Sequence, residues 1–199
     1  MAASDGRAEV LRALRASTPR EVPLPELPQT GLRFEDPVAR FMLSMSEVGG
    51  ACVRIPSVAR LEATLLEIPA YRDAKKVAAY VPGIGKSNVV LSQIGDPHLL
   101  ADLDFAVLPG ELGVAESGAI WVREEKVHPR AGMFLAQHIA VVLPAAALVH
   151  NLHEAYERIS LGAAGFSLFL SGPSKTADIE QSLVIGAHGA RSCTAILIG

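Results

Sequence analysis

The segment from residue 166 to residue 183 combines the features of an anion-binding loop. An apolar strand is followed at once by the small polar loop Ser171-Gly172-Pro173-Ser174-Lys175-Thr176, and the next residues predict a helix from Ala177 to Ile185. Ligands of open α/β sheets bind at the carboxyl ends of strands, and the free N–H groups at the start of a helix attract anions. The sequence therefore predicts a small-anion site in a strand-loop-helix unit.

The residue types of this loop suit such a site. Gly172 lets the backbone approach a ligand closely, and Lys175 supplies a positive charge, whose removal is expected to weaken anion binding by about 1–3 kcal/mol. A helix cap is the alternative, in which Thr176 bonds the amides of the first turn while Asp178 and Glu180 interact with the helix dipole. Both interpretations can hold together. The candidate ligand-binding residues of this segment are Ser171, Gly172, Ser174, Lys175, Thr176, Asp178 and Glu180.

A carboxylate lies between glycines in Gly113-Val114-Ala115-Glu116-Ser117-Gly118, between two apolar runs. At a strand end, Glu116 can act as a base, a nucleophile or a ligand contact. The alternative is a β-turn or bulge whose glutamate faces water. Because the carboxyl ends of parallel strands meet at one edge of a sheet, Glu116 is expected near the loop that begins at Ser171.

One histidine, His188, also lies between glycines, in Ile185-Gly186-Ala187-His188-Gly189-Ala190-Arg191. It can be a ligand contact or an acid–base group. The alternative is a surface turn after the end of the predicted helix. A helix from Ala177 to Ile185 would run back along the sheet, so His188 is expected at the edge opposite the anion loop.

Three further patterns do not predict a site. One segment ends like a phosphate-binding loop, namely Gly83-Ile84-Gly85-Lys86-Ser87. It is not a Walker motif, because Tyr80 occupies the place of the leading glycine. The segment can still line the same cleft. His150 and His153 lie three residues apart without further ligands, which favours a solvated helix face over a metal site. No Gly-x-Ser-x-Gly elbow is present, so a serine hydrolase is not predicted.

Apolar runs alternate with helical patterns along the chain, which predicts the elements that position these residues. Continuous Val/Ile/Leu runs between amphipathic helices indicate an α/β fold with a mostly parallel sheet covered on both faces. We predict an N-terminal helix and Pro-rich linker over residues 1–37 and an α/β domain over residues 38–199. Strands are predicted at 51–55, 76–81, 104–108, 114–115, 119–122, 138–143, 166–170 and 194–198, and helices at 5–16, 38–48, 57–68, 148–159 and 177–185.

Composition excludes several classes of protein. The 199 residues suffice for one large domain, and a net charge of −3 without a basic block argues against nucleic acid. The chain has only two cysteines, Cys52 and Cys193, and they lie far apart in the sequence. We therefore expect no disulfide framework and no iron–sulfur or zinc site held by this chain alone. No Gly-x-Gly-x-x-Gly follows a strand, so no flavin is expected. No apolar run approaches the roughly 20 residues of a membrane span, and a cytoplasmic location is expected.

Four stretches, in this order, resemble the lactate utilization protein C family, which carries the LUD domain. The resemblance covers roughly residues 40–199 and is strongest in the third stretch. The stretches are Asp104-Phe105-Ala106-Val107 leading into Val114-Ala115-Glu116-Ser117-Gly118-Ala119, then His138-Ile139-Ala140-Val141-Val142, then Ser171-Gly172-Pro173-Ser174-Lys175-Thr176-Ala177-Asp178-Ile179-Glu180, and finally Gly186-Ala187-His188-Gly189.

The resemblance implies a three-layer α/β/α fold similar to ribose-5-phosphate isomerases and CoA transferases. It also implies a role in the oxidation of L-lactate to pyruvate beside two partner proteins, which carry the iron–sulfur clusters while this chain binds none. CoA transferases use a glutamate in a Glu-x-Gly setting as nucleophile, and Glu116-Ser117-Gly118 has that form. A transferase-like or sugar-phosphate enzyme acting alone, and a regulatory module that binds a small anion, therefore stay as alternatives.

Overall fold

The computed structural model describes residues 6–17, 23, 31–160, 165–177 and 183–199. The chain divides into two compact units, Met1–Thr30 and Gly31–Gly199. The described part of the first unit contains helix α1 (Gly6–Ala16), as the sequence predicts.

The second unit contains the described strands and the remaining helices. In chain order they are α2 (Pro37–Glu47), β1 (Ala51–Ile55), α3 (Leu61–Glu67), α4 (Pro69–Asp73), β2 (Val77–Ala79), β3 (Phe105–Pro109), β4 (Leu112–Val114), β5 (Ala119–Arg123), α5 (Gly132–Leu135), β6 (His138–Pro144), β7 (Leu148–Val149), α6 (Leu152–Arg158), β8 (Ser167–Leu170), β9 (Lys175–Ala177), β10 (Leu183–Ile185) and β11 (Ser192–Ile198).

A segment before α2 packs on this unit, although the sequence assigns it to the linker. The amide of Phe34 donates to His150 Nδ1 at 3.0 Å, and Asn151 Nδ2 donates to the carbonyl of Leu32 at 3.0 Å. Asp36 then starts α2, because its side chain accepts the amides of Val38 and Ala39. The predicted domain boundary after residue 37 stays a prediction.

Five parallel strands form the central sheet, in the order β1-β11-β6-β3-β2. Its middle strand, β6, is buried from Ile139 to Leu143, and alternate residues face opposite sides. Val141 packs in the same core as Phe41 and Met45 of α2, whereas Val142 packs with residues of α3 and α4. The predicted α/β class with a mostly parallel sheet is confirmed.

A second sheet packs beside α2 on the first of these faces, in the order β7-β4-β5-β8. Strand β5 is antiparallel to both β4 and β8. Strands β4 and β8 therefore run in the same direction, and their carboxyl ends lie at one edge of this sheet. That edge carries Glu116 and Ser171, so the expected proximity arises in the second sheet rather than in the central one.

The helix predicted from Ala177 to Ile185 is wrong. Its described ends belong to an antiparallel hairpin in which Lys175 pairs with Ile185 and Ala177 with Leu183. Consecutive apolar residues at 183–185, two of them β-branched, favour an extended chain over a one-sided helical stripe. The loop therefore leads into a strand, and the argument from a helix dipole no longer applies. Residues 178–182, and with them Asp178 and Glu180, lie outside the described residues.

Two other helices begin later than predicted. Ser57 precedes a short 3₁₀ turn, makes no side-chain cap bond, and α3 starts only at Leu61. Leu148 belongs to β7, and α6 starts at Leu152 because Asn151 Oδ1 accepts the amide of Glu154 at 3.0 Å. At α6, the side-chain cap of Asn151, rather than the spacing of the apolar residues, thus sets where the helix begins.

Candidate functional site

The hairpin of β9 and β10 returns the chain to the loop that the sequence identifies as an anion site. The amide of Gly186 donates to the carbonyl of Ser174 at 2.9 Å, and the amide of Ser174 donates to the carbonyl of Ala190 at 2.8 Å. The turn of residues 186–190 therefore lies against the loop. The expectation that placed His188 at the opposite edge is wrong, because it depended on the helix.

A cavity of about 150 Å³ lies between this loop and this turn. Its polar side is lined by residues of the loop and the turn, which are Gly172, Pro173, Ser174, His188, Gly189 and Ala190. Its apolar side comes from β6, β8 and α5, with Ile139, Leu168, Leu170, Met133 and Phe134. The cavity thus has one polar and one apolar end.

Hydrogen-bond donors are available at the polar end. The amides of His188, Gly189 and Ala190, which line the cavity, donate to no described residue, and neither does the hydroxyl of Ser174. Successive backbone N–H groups in a turn form a concave site for an anion. A carboxylate is therefore the kind of group that this end of the cavity can bind.

Gly172 comes close to the end of α2. Its φ of +72° is strained for any other residue, and a Cβ at this position would lie 2.8 Å from the carbonyl oxygen of Val48. Gly172 thereby fixes the position of Ser174 relative to the core. Gly172 also lines the cavity, and its predicted contact with a ligand stays a prediction.

The other loop residues lie outside the cavity lining. Lys175 is exposed, with its Cε 3.8 Å from where a Cβ on Gly49 would be. Ser171 Oγ donates to the carbonyl of Ser117 at 2.9 Å, and Thr176 Oγ1 donates to that of Val184 at 3.5 Å. Two of the three hydroxyls thus hold the loop in place, and of these three residues only Ser174 lines the cavity.

Glu116 lies at the same edge but is held in a turn. Its Oε1 accepts the amide of Leu152 at 2.7 Å, and its own amide donates to the carbonyl of His150 at 3.1 Å. Glu116 is not among the residues that line the cavity. The geometry favours the structural alternative, in which this carboxylate joins the β4–β5 turn to the start of α6.

Replacement of Glu116 with alanine is expected to lower the free energy of unfolding by about 0.5–1.5 kcal/mol, because the amide of Leu152 loses its acceptor. Glutamine keeps an acceptor oxygen, so Glu116→Gln should cost less than Glu116→Ala. Urea unfolding of both variants checks this. A Glu116→Gln protein of unchanged stability that has lost its activity would instead assign the carboxylate to chemistry.

The remaining motifs form structural contacts. Lys86 Nζ donates to the carbonyl of Tyr71 at 2.8 Å, and the amide of Gly85 donates to Glu62 Oε2 at 3.1 Å, so the Walker-like segment is bonded to α3 and α4. His150 Nδ1 accepts the amide of Phe34 and lies before α6 rather than on it. Within the described ranges, no group of three His, Cys, Asp or Glu residues is arranged to hold a metal ion.

Neither cysteine is a ready nucleophile. Burial raises the pKa of Cys52 to about 12, and burial together with the neighbouring Cys52 raises the pKa of Cys193 to about 12. Both thiols are therefore protonated at neutral pH, and thiolate chemistry is not favoured here.

A further cleft, of about 410 Å³, was not anticipated from the sequence. Glu111 lies within it and forms ion pairs with Arg123 at 2.9 Å and Lys126 at 2.6 Å. Burial raises the pKa of Glu111, but hydrogen bonds and charge from Lys126 and Arg123 outweigh this and hold it below its ordinary value. The charges of Glu111 and Arg123 in this cleft are thus engaged in ion pairs with each other and with Lys126.

No helix in the described part of the chain is long and apolar enough to cross a membrane.

Comparison with known proteins agrees with the resemblance noted above. The model of the LUD domain matches residues 97–198, about half of the chain. Lactate utilization protein C from Oceanobacillus iheyensis is 26% identical over 121 residues, which cover 58% of this chain and 48% of that protein. Lactate utilization protein C from Geobacillus thermodenitrificans is 32% identical over 94 residues, covering 44% of this chain and 39% of that protein. This chain spans about half the length of these curated relatives or less.

A solved structure has the same fold. The crystal structure of a DUF162 family protein from Deinococcus radiodurans superposes with a TM-score of 0.64, covering 85% of this chain and 100% of that chain at 16% identity. The family match spans β3 to β11 and includes the loop, the turn and the cavity between them. The chain belongs to the LUD domain family.

Proposed function

We propose that this chain is a non-iron–sulfur component of an L-lactate oxidation system and that its loop–turn cavity binds a small carboxylate. Two relatives that are 26% and 32% identical to it over aligned segments of 121 and 94 residues are named lactate utilization protein C. The single observation that carries the ligand proposal is that turn amides without an acceptor among the described residues and an apolar floor belong to one cavity.

The chemistry of the cavity suits a three-carbon acid. The carboxylate of lactate or pyruvate can accept from the amides near Gly189 and from the hydroxyl of Ser174, while the methyl group packs on Leu168 and Leu170. A protein cavity of about 150 Å³ accommodates a benzene molecule, so a three-carbon acid fits. Sites for drug-sized ligands measure about 300–1,000 Å³, which favours a small metabolite over a CoA ester.

Redox chemistry is assigned to partner proteins in this proposal. A four-thiolate cluster needs more ligands than two separated cysteines supply. The iron–sulfur clusters are therefore placed on the partners of the lactate-oxidising complex, and this chain binds and positions an anion for them. The CoA-transferase alternative is less favoured, because Glu116 Oε1 is already bonded to the amide of Leu152.

An anaerobic affinity capture with the full chain, followed by a lactate oxidation assay, tests this function. We expect cluster-bearing proteins to be captured and lactate oxidation by that fraction to depend on the chain, falling to background when it is omitted. Variants His188→Ala and His153→Ala form a matched pair, since both side chains are exposed and only His188 lines the cavity. Oxidation that proceeds equally without the chain contradicts the proposal.

A further inference from the structure

A separate cleft of about 360 Å³ opens at the amino edge of the central sheet, the edge opposite to the one where ligands of α/β proteins usually bind. Four parallel strands, β2, β3, β6 and β11, begin at or just after residues that line it. Its polar lining consists of Asp73, Lys75, Asp104, Gln137, His138 and Arg191.

The backbone around this cleft is already paired, so a ligand must be recognised by side chains. The amide of Arg191 donates to the carbonyl of Gln137 at 2.8 Å, and that of His138 donates to the carbonyl of Asp104 at 3.0 Å. The amides of Lys75 and Lys76 donate to Asp104 Oδ2 at 2.8 and 2.9 Å.

Both acids of the cleft make direct polar contacts, whereas the charged ends of its two bases make none with the described residues. The amides of Lys76 and Lys75 donate to Asp104 and hold its pKa below the ordinary value, and the nearby charge of Lys75 acts in the same direction. Asp73 forms an ion pair with Arg72 at 3.2 Å. Within the described ranges, neither the ammonium group of Lys75 nor the guanidinium group of Arg191 forms an ion pair or hydrogen bond. The cleft therefore presents two positively charged groups that make no direct contact with a carboxylate of the described residues.

His138 adds a neutral group of fixed orientation to the lining of this cleft. Its Nδ1 is hydrogen-bonded to Ser192 Oγ at 2.8 Å, which fixes the orientation of the ring, and Nε2 has no partner among the described residues. Burial, and then the charge of Arg191, lower the pKa of His138 although Asp104 opposes this, so the imidazole is neutral at neutral pH. A neutral ring supplies a hydrogen bond without adding charge.

We propose that this cleft is a second ligand site, which binds the phosphate group of a small phosphate monoester. A dianion matches two separate cations better than a monocarboxylate does. The planar fork of Arg191 can bind two phosphate oxygens, and Lys75 acts as a point charge on the same group. The volume falls within the range of small-molecule sites, which leaves room for the rest of the ester.

This site is independent of the carboxylate cavity and of the proposed lactate function.

The side chain of Arg191 packs against Gly186, since a Cβ on Gly186 would lie 2.5 Å from Arg191 Cγ. Substitution by glutamine keeps that part of the side chain and removes only the charged end. Arg191→Gln is therefore expected to fold normally.

Calorimetric titration of the full chain with glycerol 3-phosphate tests the site. We expect Arg191→Gln and Lys75→Gln each to weaken binding about ten- to a hundredfold, the usual effect of losing one charge-assisted hydrogen bond. Arg60→Gln, which removes an exposed positive charge outside the cleft, should leave binding unchanged. L-lactate should not compete.

Three outcomes would overturn the proposal. One is the absence of binding at millimolar glycerol 3-phosphate, and another is equal binding by the parent chain and both cleft variants. The third is binding that His188→Ala removes but Arg191→Gln does not, which would place the phosphate in the carboxylate cavity instead. None of these results bears on the lactate oxidation assay, so the two proposals fail separately.

Discussion

Replacement of Gly118 with alanine is expected to lower the free energy of unfolding by about 2–5 kcal/mol. Gly118 has a φ of +65°, and a Cβ there would lie 2.9 Å from the amide nitrogen and 3.0 Å from the Cα of Met45. Left-handed backbone costs a residue with a Cβ about 1–2 kcal/mol, and overpacking of a core costs about 1–3 kcal/mol more. Helix α2 cannot easily move away, because Ser44 Oγ donates to the carbonyl of Ala115 at 2.6 Å.

Gly83 offers a matched control for this substitution. It has a similar φ of +83°, but a Cβ there would meet no atom within 4 Å. Gly83→Ala should therefore show the backbone cost alone, about 1–2 kcal/mol. Urea unfolding of both variants separates the two contributions. A Gly118→Ala protein no less stable than Gly83→Ala would contradict the packing of the β4–β5 turn against α2.

Removal of the His188 side chain is expected to weaken binding of a small carboxylate about tenfold, and removal of the Ser174 hydroxyl by a similar factor. Each variant loses one hydrogen-bonding group at the polar end of the cavity, which is worth about 1–1.5 kcal/mol. The amides of residues 188–190 remain, so binding should be weakened rather than abolished. Calorimetry with L-lactate measures both effects, and His153→Ala is the control.

The salt dependence of anion binding can show whether the side chain of Lys175 contacts the anion directly. Because its side chain lies along the end of α2 and outside the cavity lining, its charge can act on the ligand only at a distance. Lys175→Ala is therefore expected to weaken binding less than His188→Ala, and the effect should vanish in about 1 M salt, where the Debye length is about 3 Å. A larger, salt-independent loss would place Lys175 in direct contact with the anion, as the sequence alone suggests.

The sheet could be predicted from the sequence because its inner strands β3 and β6 are buried on both faces. The run from Ile139 to Leu143 is apolar at every position, a pattern typical of a strand inside a covered parallel sheet. The hairpin of β9 and β10 could not be predicted in the same way. Its strands have three residues each, and their stability comes from pairing between Lys175 and Ile185 rather than from local preference.

The candidate site was predicted in its parts but not in its arrangement. The glycines around His188 and the loop at Ser174 both stand out by residue type. The hairpin of β9 and β10 brings the turn and the loop together. A helix in its place would put them at opposite edges of the sheet, so the sequence did not predict that they are close. The apolar floor carries no signal of its own, because Leu168 and Leu170 occupy ordinary core positions of β8.

The most direct test of the carboxylate cavity is an NMR titration of the ¹⁵N-labelled full chain with L-lactate. We predict saturable shifts of the amide signals of Ser174, His188, Gly189 and Ala190, and no comparable shift at Lys75 or Arg191 in the separate cleft. Saturable shifts that leave these four amides unchanged, or no saturation at millimolar lactate, would contradict the account.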